Sequence, residues 1–226
     1  MQKPAPAVLF DIDGTLVDSN YLHVHAWLRA FHEVGLPVQA WHIHRSIGMD
    51  GSTLVEQLSD GADDDVQKQL KDLHTRYYES SSALLTPLPG AHQLLRRTAD
   101  LGLQVVLATS APDNELALLR ATLDCEDLVS AITSSEDVGE AKPKPDIVGV
   151  ALKKAGVTEQ EAVFVGDTVW DVEASARAGV PCIGVLSGGV SAAELEKAGA
   201  AAVFDDAQQL CDHLDDSPIA ALVGGS

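Results

Sequence analysis

The sequence is poor in positive charge. Its 226 residues contain 15 Lys and Arg against 34 Asp and Glu, which gives a formal net charge of −19 and an isoelectric point near 4.5. A surface of this sign repels nucleic-acid backbones and anionic lipid. We therefore expect no nucleic acid and no membrane as the main partner of this protein.

Cysteines and long apolar runs are scarce as well. Cys125, Cys182 and Cys211 form no CxxC pair, so the sequence indicates neither a disulfide framework nor a cysteine zinc site. No apolar run approaches the roughly 18 residues that a membrane-spanning helix requires. Residues 1–7 lack the apolar core of a signal peptide. We predict a cytoplasmic protein with three reduced thiols.

What the sequence does contain is an alternation of short apolar runs with helix-like stretches. The runs lack polar alternation, which is typical of strands buried on both faces of a parallel sheet. Gly102, Gly156 and Gly179 stand where the helical patterns end. The runs are residues 7–10, 104–108, 131–133, 162–165, 182–185 and 201–204. This alternation predicts an α/β fold with a doubly wound parallel sheet, similar to a Rossmann core.

One region interrupts the alternation. Residues 20–85 contain no convincing strand but several helical patterns. Apolar stripes recur at helical spacing over residues 24–34 and 66–77, with Leu84 as a further candidate for the second stripe. Trp27, Trp41, Tyr77 and Tyr78 are predicted to pack in the core of this region. The predicted organisation is an α/β core, residues 1–19 and 86–226, with an all-helical domain inserted at residues 20–85.

Polar side chains follow three of the predicted strands at the points where the strands end. Asp11 and Asp13 come directly after the first strand, with Gly14 permitting a tight turn, and two carboxylates in a core are costly without a cation. Ligands bind beyond the carboxyl ends of strands in doubly wound sheets, so we expect these groups to line one site. The groups after the second and fourth strands are Thr109, Ser110, Asp167 and Asp171.

A lysine in a stiff loop completes the set. Lys142 lies between residues 140 and 146, in the segment EAKPKPD, whose prolines restrict the backbone. Each feature alone has an ordinary reading: Asp-Gly favours turns, Thr109 could cap a helix, and Lys142 could be an exposed loop residue. Their occurrence in this order at successive strand ends favours a catalytic site.

In these four segments the sequence resembles the phosphatase branch of the haloacid dehalogenase superfamily, the branch with a helical cap. The resemblance extends from Ala7 to about Leu214. The segments match the family motifs in order and spacing. They are Asp11-x-Asp13-Gly14-Thr15, Thr109, Lys142-Pro143-Lys144-Pro145-Asp146 and Gly166-Asp167-Thr168-x-x-Asp171.

The resemblance implies that the protein hydrolyses phosphomonoesters through an aspartyl-phosphate. Asp11 would attack phosphorus, and Asp13 would protonate the leaving oxygen and then take a proton from water. Mg²⁺ would be held by the Asp11 carboxylate, the Asp13 backbone carbonyl and Asp167. Gly14 would support the turn that carries the two carboxylates.

Further residues acquire roles from the same resemblance. The Thr109 hydroxyl and neighbouring N–H groups at Ser110 would bind phosphoryl oxygens, and Lys142 would offset the charge that Asp11 shares with the phosphoryl group. Asp171 would orient Lys142 or the metal shell rather than bind the metal directly.

Within the superfamily, departures from other branches narrow the chemistry. Dehalogenases replace the second aspartate, which is present here as Asp13, and phosphonate hydrolases need a cap lysine that residues 16–50 do not contain. Relatives of β-phosphoglucomutase typically carry Glu-Asp at positions 166 and 167 and Gly at position 171. The sequence favours a phosphatase, with a hexose-phosphate mutase as the alternative and a non-catalytic binding module as a remote one.

The helical cap should select the substrate, because it would close over the site. His23 lies twelve residues after Asp11, where related capped enzymes place a polar residue, and its alternative reading is an exposed helix residue. Arg45 precedes a loop that resembles the substrate-covering loop of these enzymes and would suit an anionic or hydroxyl-rich leaving group. The predicted substrate is a small phosphorylated metabolite, such as a sugar phosphate or a phosphoglycolate-type acid. The sequence leaves the oligomeric state open.

Overall fold

The computed structural model describes residues 3–134, 137, 142 and 144–224 of the chain. The chain divides into two compact units, Met1–Asp18 with Thr86–Ser226, and Ser19–Leu85. The first contains a six-stranded sheet, whereas every regular element of the second is helical. Across the part of the chain that the model describes, no helix combines the length and hydropathy that crossing a membrane requires.

The sheet is entirely parallel, with the strand order β3-β2-β1-β4-β5-β6. This order is that of a doubly wound sheet, so the predicted fold class is confirmed. Observed strands differ from the predicted ones by at most two residues at either end. They are β1 (Ala7–Phe10), β2 (Gln104–Ala108), β3 (Val129–Thr133), β4 (Ala162–Gly166), β5 (Cys182–Val185) and β6 (Ala202–Phe204).

The helical unit consists of α1 (Asn20–Glu33), α2 (Ala40–Ser46), α3 (Gly51–Leu58) and α4 (Asp64–Ser80). Its core joins apolar side chains of all four helices, including Trp27, Ile43, Leu54 and Leu70. Asp63 caps α4, because its carboxylate accepts a hydrogen bond from Val66 N at 2.9 Å. Apolar stripes on the inner faces of α1 and α4 thus account for how this unit folds.

Two predictions for this unit are wrong. Trp41 is 60% exposed; α2 buries Ile43 and Ser46, and a residue two positions before Ile43 lies about 200° away around the helix. Its indole instead donates from Nε1 to Gln39 Oε1 at 2.6 Å. Leu84 is 66% exposed, because α4 ends at Ser80 and Leu84 belongs to a separate 3₁₀ turn.

Helices cover the sheet of the larger unit. Ala7 and Leu9 pack in one apolar cluster with the helices at residues 146–155, 169–177 and 192–198. Val8 and Phe10, which point to the opposite face, are also fully buried. Strands buried on both faces explain why the sequence shows unbroken apolar runs. The helices are α5 (Ala91–Asp100), α6 (Asp113–Leu123), α7 (Asp146–Ala155), α8 (Val169–Arg177), α9 (Ala192–Ala198), α10 (Ala207–Asp212) and α11 (Ala220–Val223).

All three cysteines are buried free thiols. Burial raises the pKa of Cys125 to about 11, and it also raises the pKa of Cys182 and of Cys211. Because the thiolate is the reactive form, these thiols are poor nucleophiles at neutral pH. Their role is packing.

The strand order reverses at β1, which lies between β2 and β4. In the registers of both pairs, Phe10 lies opposite Leu107 on one side and Val165 on the other. The residues that follow β1, β2 and β4 therefore leave the sheet side by side. Such a switch point is where doubly wound folds bind ligands.

A substitution at Gly90 tests the close contact between the start of α5 and Gln208 of α10. It precedes α5 with φ of 77°, and a Cβ atom there would lie 2.3 Å from Gln208 Cα. We expect Gly90→Ala to lower the free energy of unfolding by about 2–4 kcal/mol, because left-handed strain adds to a backbone clash. Urea denaturation measures the change.

The matched control for this substitution is Gly149→Ala. Gly149 lies within α7, and a Cβ atom there would meet nothing within 4 Å. Since alanine favours helix, this variant should be as stable as the parent or more stable by up to about 1 kcal/mol. Equal stability of both variants would contradict the packing described for Gly90.

Candidate active site

The loop after β1 carries two carboxylates in a compact turn. Asp11 is 5% exposed, and Asp13 is half-buried. The Ile12 carbonyl accepts from Val17 N at 2.9 Å, and Gly14 N donates to Val17 O at 2.8 Å. Gly14 has φ of 71°, a conformation that glycine adopts without strain. The turn therefore needs glycine at this position.

Side chains from other loops hold this turn. Thr15 donates its hydroxyl to Asp167 Oδ1 at 3.1 Å, beyond the end of β4. Ser187, which follows β5, donates its hydroxyl to the Gly14 carbonyl at 2.6 Å. Sequence reasoning missed Ser187, because a serine in a glycine-rich turn carries no signal of a contact with a residue so distant in the chain.

Lys142 is buried between two carboxylates. Its Nζ lies 2.7 Å from Asp11 Oδ1 and 2.6 Å from Asp171 Oδ1, and its side chain is 2% exposed. Burial this deep removes the hydration of the ammonium, so carboxylates around it must compensate its charge. Three residues of the predicted lysine segment, Glu140, Ala141 and Pro143, lie outside the described residues.

Two hydrogen bonds from Thr168 and the lack of a side chain at position 166 hold the Asp171 carboxylate beside Lys142. Its Oδ2 accepts from Thr168 N at 3.0 Å and from the Thr168 hydroxyl at 2.6 Å, in a capping box that starts α8. A Cβ atom at position 166 would lie 2.5 Å from Asp171 Cγ. Glycine at position 166 is thus a condition for this placement of Asp171.

Three buried carboxylates meet at the strand ends. One oxygen each from Asp11, Asp167 and Asp171 lie within 4.8 Å of one another. Three carboxylates and the ammonium of Lys142 sum to a formal charge of −2. Buried charge of this size requires compensation, and hard oxygen ligands suit a divalent cation such as Mg²⁺. The donor set fits such a cation.

Burial and the neighbouring charges shift the pKa values of Asp11 and Lys142. Burial raises the pKa of Asp11 to about 7, against the lowering effect of Lys142, and the charges of Asp171 and Asp13 raise it further. Burial alone would lower the pKa of Lys142, but the charges of Asp11 and Asp171 outweigh burial and raise it. The lysine is therefore a permanent cation, whereas Asp11 can hold a proton at neutral pH.

The turn after β2 places a hydroxyl and backbone N–H groups at the same edge of the sheet. Thr109 is buried, and its hydroxyl oxygen accepts from Ala111 N at 3.0 Å. Ser110, the residue between them, is half-buried. The Thr109 carbonyl accepts from the hydroxyl of Thr133, at the end of β3, at 3.0 Å. Sequence reasoning did not identify Thr133.

The two other predicted site residues belong to the helical unit. His23 is buried on α1, which excludes its reading as an exposed helix residue. Its Nδ1 lies 3.1 Å from His74 Nε2, and its ring stacks on Tyr78 with centroids 4.1 Å apart. Arg45 is exposed in the last turn of α2. Substrate binding by His23 and Arg45 stays a prediction.

Comparison with known proteins identifies relatives of this chain. The family model described as haloacid dehalogenase-like hydrolase matches residues 8–185. A phosphoglycolate phosphatase of Rhodospirillum rubrum is 31% identical over 218 residues, which cover 92% of this chain and 90% of that protein.

Solved structures agree with this comparison. A hydrolase from Pseudomonas syringae has a TM-score of 0.89 and 35% identity, and the match covers 93% of this chain and 98% of that one. A β-phosphoglucomutase from Clostridium difficile has a TM-score of 0.82 at 21% identity, with 94% and 96% of the two chains covered. The second similarity concerns the fold alone.

The raised pKa of Asp11 predicts a pH-dependent effect of Asp11→Asn in the presence of a chelator. A carboxyl with a raised pKa favours folding at low pH, and this contribution is lost as pH rises from 3.8 to about 7. Asparagine removes the buried charge and keeps an oxygen to accept from Lys142. The variant should therefore be more stable than the parent at pH 8, by on the order of 2 kcal/mol.

Thermal unfolding from pH 4 to pH 8 measures this difference. The advantage of the variant should shrink steadily as the pH falls, because the parent then regains a neutral carboxyl at position 11. A constant difference across this range would contradict the environment described for Asp11.

The lowered pKa of His74, in the helical unit, predicts that stability changes with pH in the opposite direction. Burial lowers the pKa of His74 well below 6.5, and the charge of His23 lowers it further. The unfolded chain therefore binds a proton that the folded protein does not, so stability falls as pH drops below 6.5, by about 1 kcal/mol per pH unit. His74→Gln should lose this part of the acid sensitivity, measured as the free energy of unfolding from pH 8 to pH 5. His32→Gln, a histidine substitution at an exposed position of α1, is the matched control, and an equal change of slope in both variants would contradict the effect of burial described for His74.

Proposed function

The chain belongs to the haloacid dehalogenase-like hydrolase family and is a phosphatase, and we propose that it hydrolyses small phosphomonoesters through an aspartyl-phosphate on Asp11. The observation that carries the proposal is the buried ion-pair chain of Asp11, Lys142 and Asp171 at the end of β1. The phosphatase of Rhodospirillum rubrum supports a substrate of phosphoglycolate type, and the resemblance of the sequence extends the proposal to sugar phosphates.

In the proposed reaction Asp11 attacks phosphorus, and the leaving oxygen departs with a proton. Lys142 lowers the pKa of Asp11 against the effect of burial, which favours the ionised nucleophile, and its charge offsets that of the phosphoryl group. Asp13, half-buried two residues further along, is the acid that gives the proton. The same carboxylate then takes a proton from the water that hydrolyses the intermediate.

Thr109 and Ser110 bind the phosphoryl oxygens in this scheme. Because the Thr109 hydroxyl accepts from Ala111 N, its own proton is directed away from that bond and can be donated. The backbone N–H of Ser110 is the second donor. Donors held in place before the substrate arrives need no reorganisation during the reaction.

Mg²⁺ fits the carboxylates of Asp11 and Asp167, with the backbone carbonyl of Asp13 as a third ligand. When bound, such an ion neutralises phosphoryl charge that would repel an anionic nucleophile. Asp171 is left to hold Lys142, since its carboxylate is occupied by that lysine and by Thr168.

The helical unit is the proposed cap. Residues 20–85 would close over the site and exclude water, with His23 and Arg45 recognising the part of the substrate beyond the phosphate. Residues 1–19 and 86–226 would form the catalytic core.

Release of inorganic phosphate from a panel of small phosphomonoesters tests the proposal. Parent protein with Mg²⁺ should release phosphate, and chelator should abolish the release. Asp11→Asn should lower turnover by at least about a thousandfold, because it removes the nucleophile. Asp100→Asn, an exposed aspartate at the end of α5, is the matched control and should keep full activity.

Two outcomes would favour other functions. Little phosphate release, with interconversion of hexose phosphates that requires a bisphosphate activator, would identify a mutase. No turnover of any ester or hexose phosphate by folded protein with saturating Mg²⁺ would leave a binding module on the same fold. Activity that survives Asp11→Asn would refute the proposed nucleophile.

A further inference from the structure

We propose that Thr133, at the end of β3, is a positioning residue for the phosphate-binding turn at Thr109 and Ser110. The inference rests on the proposed function, which assigns this turn to the phosphoryl oxygens. Thr133 Oγ1 donates to the Thr109 carbonyl at 3.0 Å, and both side chains are buried. This contact joins two residues that are 24 positions apart in the chain.

The register of the sheet places the hydroxyl where it is needed. Thr133 pairs with Ala108, the last residue of β2, so its side chain lies beside the first peptide unit that leaves that strand. A carbonyl at such a point no longer continues the ladder of the strand, and a buried carbonyl requires a donor. The Thr133 hydroxyl supplies one.

Holding this carbonyl also orients an N–H group. The carbonyl of Thr109 and the N–H of Ser110 belong to one planar trans peptide unit, in which they point in opposite directions. Fixing the carbonyl toward β3 therefore fixes the Ser110 N–H away from β3. The bond from Ala111 N to the Thr109 hydroxyl fixes the other donor of the turn. Two bonds on opposite sides thus preset both phosphate donors.

The end of β3 is itself a firm support. Lys154 Nζ donates to the Ile132 carbonyl at 2.8 Å and lies 2.6 Å from Asp137 Oδ2. The same carboxylate accepts from Ser134 N at 2.9 Å. Residues on both sides of Thr133 are therefore held to α7, so its hydroxyl is a fixed donor rather than a mobile one.

Thr133→Val tests the inference, because valine has the shape of threonine without its hydroxyl. We expect kcat to fall about tenfold and KM to rise by about as much, since the donors hold the phosphoryl group of the bound substrate and also act on charge that develops during transfer. Thr133→Ser keeps the hydroxyl and should retain kcat within about twofold of the parent. Thr133→Ala also removes the hydroxyl but does not add the second methyl group of valine. Its kcat should fall by about as much as that of Thr133→Val.

Thr98→Val is the matched control. Thr98 is equally buried in the same unit, and its hydroxyl donates to the Leu94 carbonyl at 2.8 Å within α5. Its loss should lower the unfolding temperature as Thr133→Val does, while kcat stays unchanged. A purely structural role for Thr133 predicts instead that both valine variants affect stability alone.

Binding of inorganic phosphate with Mg²⁺, followed by calorimetry, gives a readout that does not depend on turnover. We expect Thr133→Val and Thr133→Ala to weaken phosphate binding by about tenfold, and Thr98→Val to leave it unchanged. Unchanged kcat and unchanged phosphate affinity in the folded Thr133 variants would overturn the inference alone. Parent protein that neither hydrolyses esters nor binds phosphate would overturn the proposed function and the inference with it.

Discussion

The buried ammonium of Lys142 is the group on which the arrangement of the site depends. Three carboxylates meet at the strand ends, and without a cation such a cluster would be protonated or would force the strand ends apart. Lys142 contacts the carboxylates of Asp11 and Asp171, although it lies far from both residues in the sequence. A single residue thus lets the fold place anionic groups where a doubly wound sheet binds its ligands. The formal charge of −2 that remains uncompensated suits a divalent cation.

The position of Asp171 in the ion-pair chain depends on the space beside the backbone of Gly166. A Cβ atom at position 166 would occupy the volume of the Asp171 carboxyl group, 2.5 Å from its Cγ. A side chain at position 166 and an aspartate at position 171 therefore exclude each other. This exclusion would explain the difference that the resemblance implies between this chain, with Gly and Asp at these positions, and relatives of β-phosphoglucomutase, with Glu and Gly. In this chain the two positions compete for one space.

Local sequence patterns predicted the fold and the residues at the strand ends, but not the contacts that hold those residues. Strands buried on both faces appear in the sequence as apolar runs. A polar residue directly after such a run, such as Asp11, must lie at the edge of the sheet where the carboxyl ends of the strands meet. The hydrogen bonds that Thr133 and Ser187 donate depend on the register of the sheet and on which strands are neighbours. The residues around Thr133 and Ser187 in the sequence indicate neither. The error at Trp41 arose differently, because aromatic character was taken for burial without regard to the phase of a short helix.

Burial of Asp11 links the stability of the site to its chemistry. The charge that Asp11 needs as the proposed nucleophile is the charge that burial disfavours, and Lys142, shared with Asp171, offsets only part of that cost. The pKa of Asp11 near 7 follows from this partial compensation. A cation held by the same oxygens would favour the ionised form of Asp11. In the proposed mechanism the nucleophile would be fully charged in the loaded site, whereas at neutral pH the Asp11 carboxyl group of the metal-free protein, with its pKa near 7, holds a proton only part of the time.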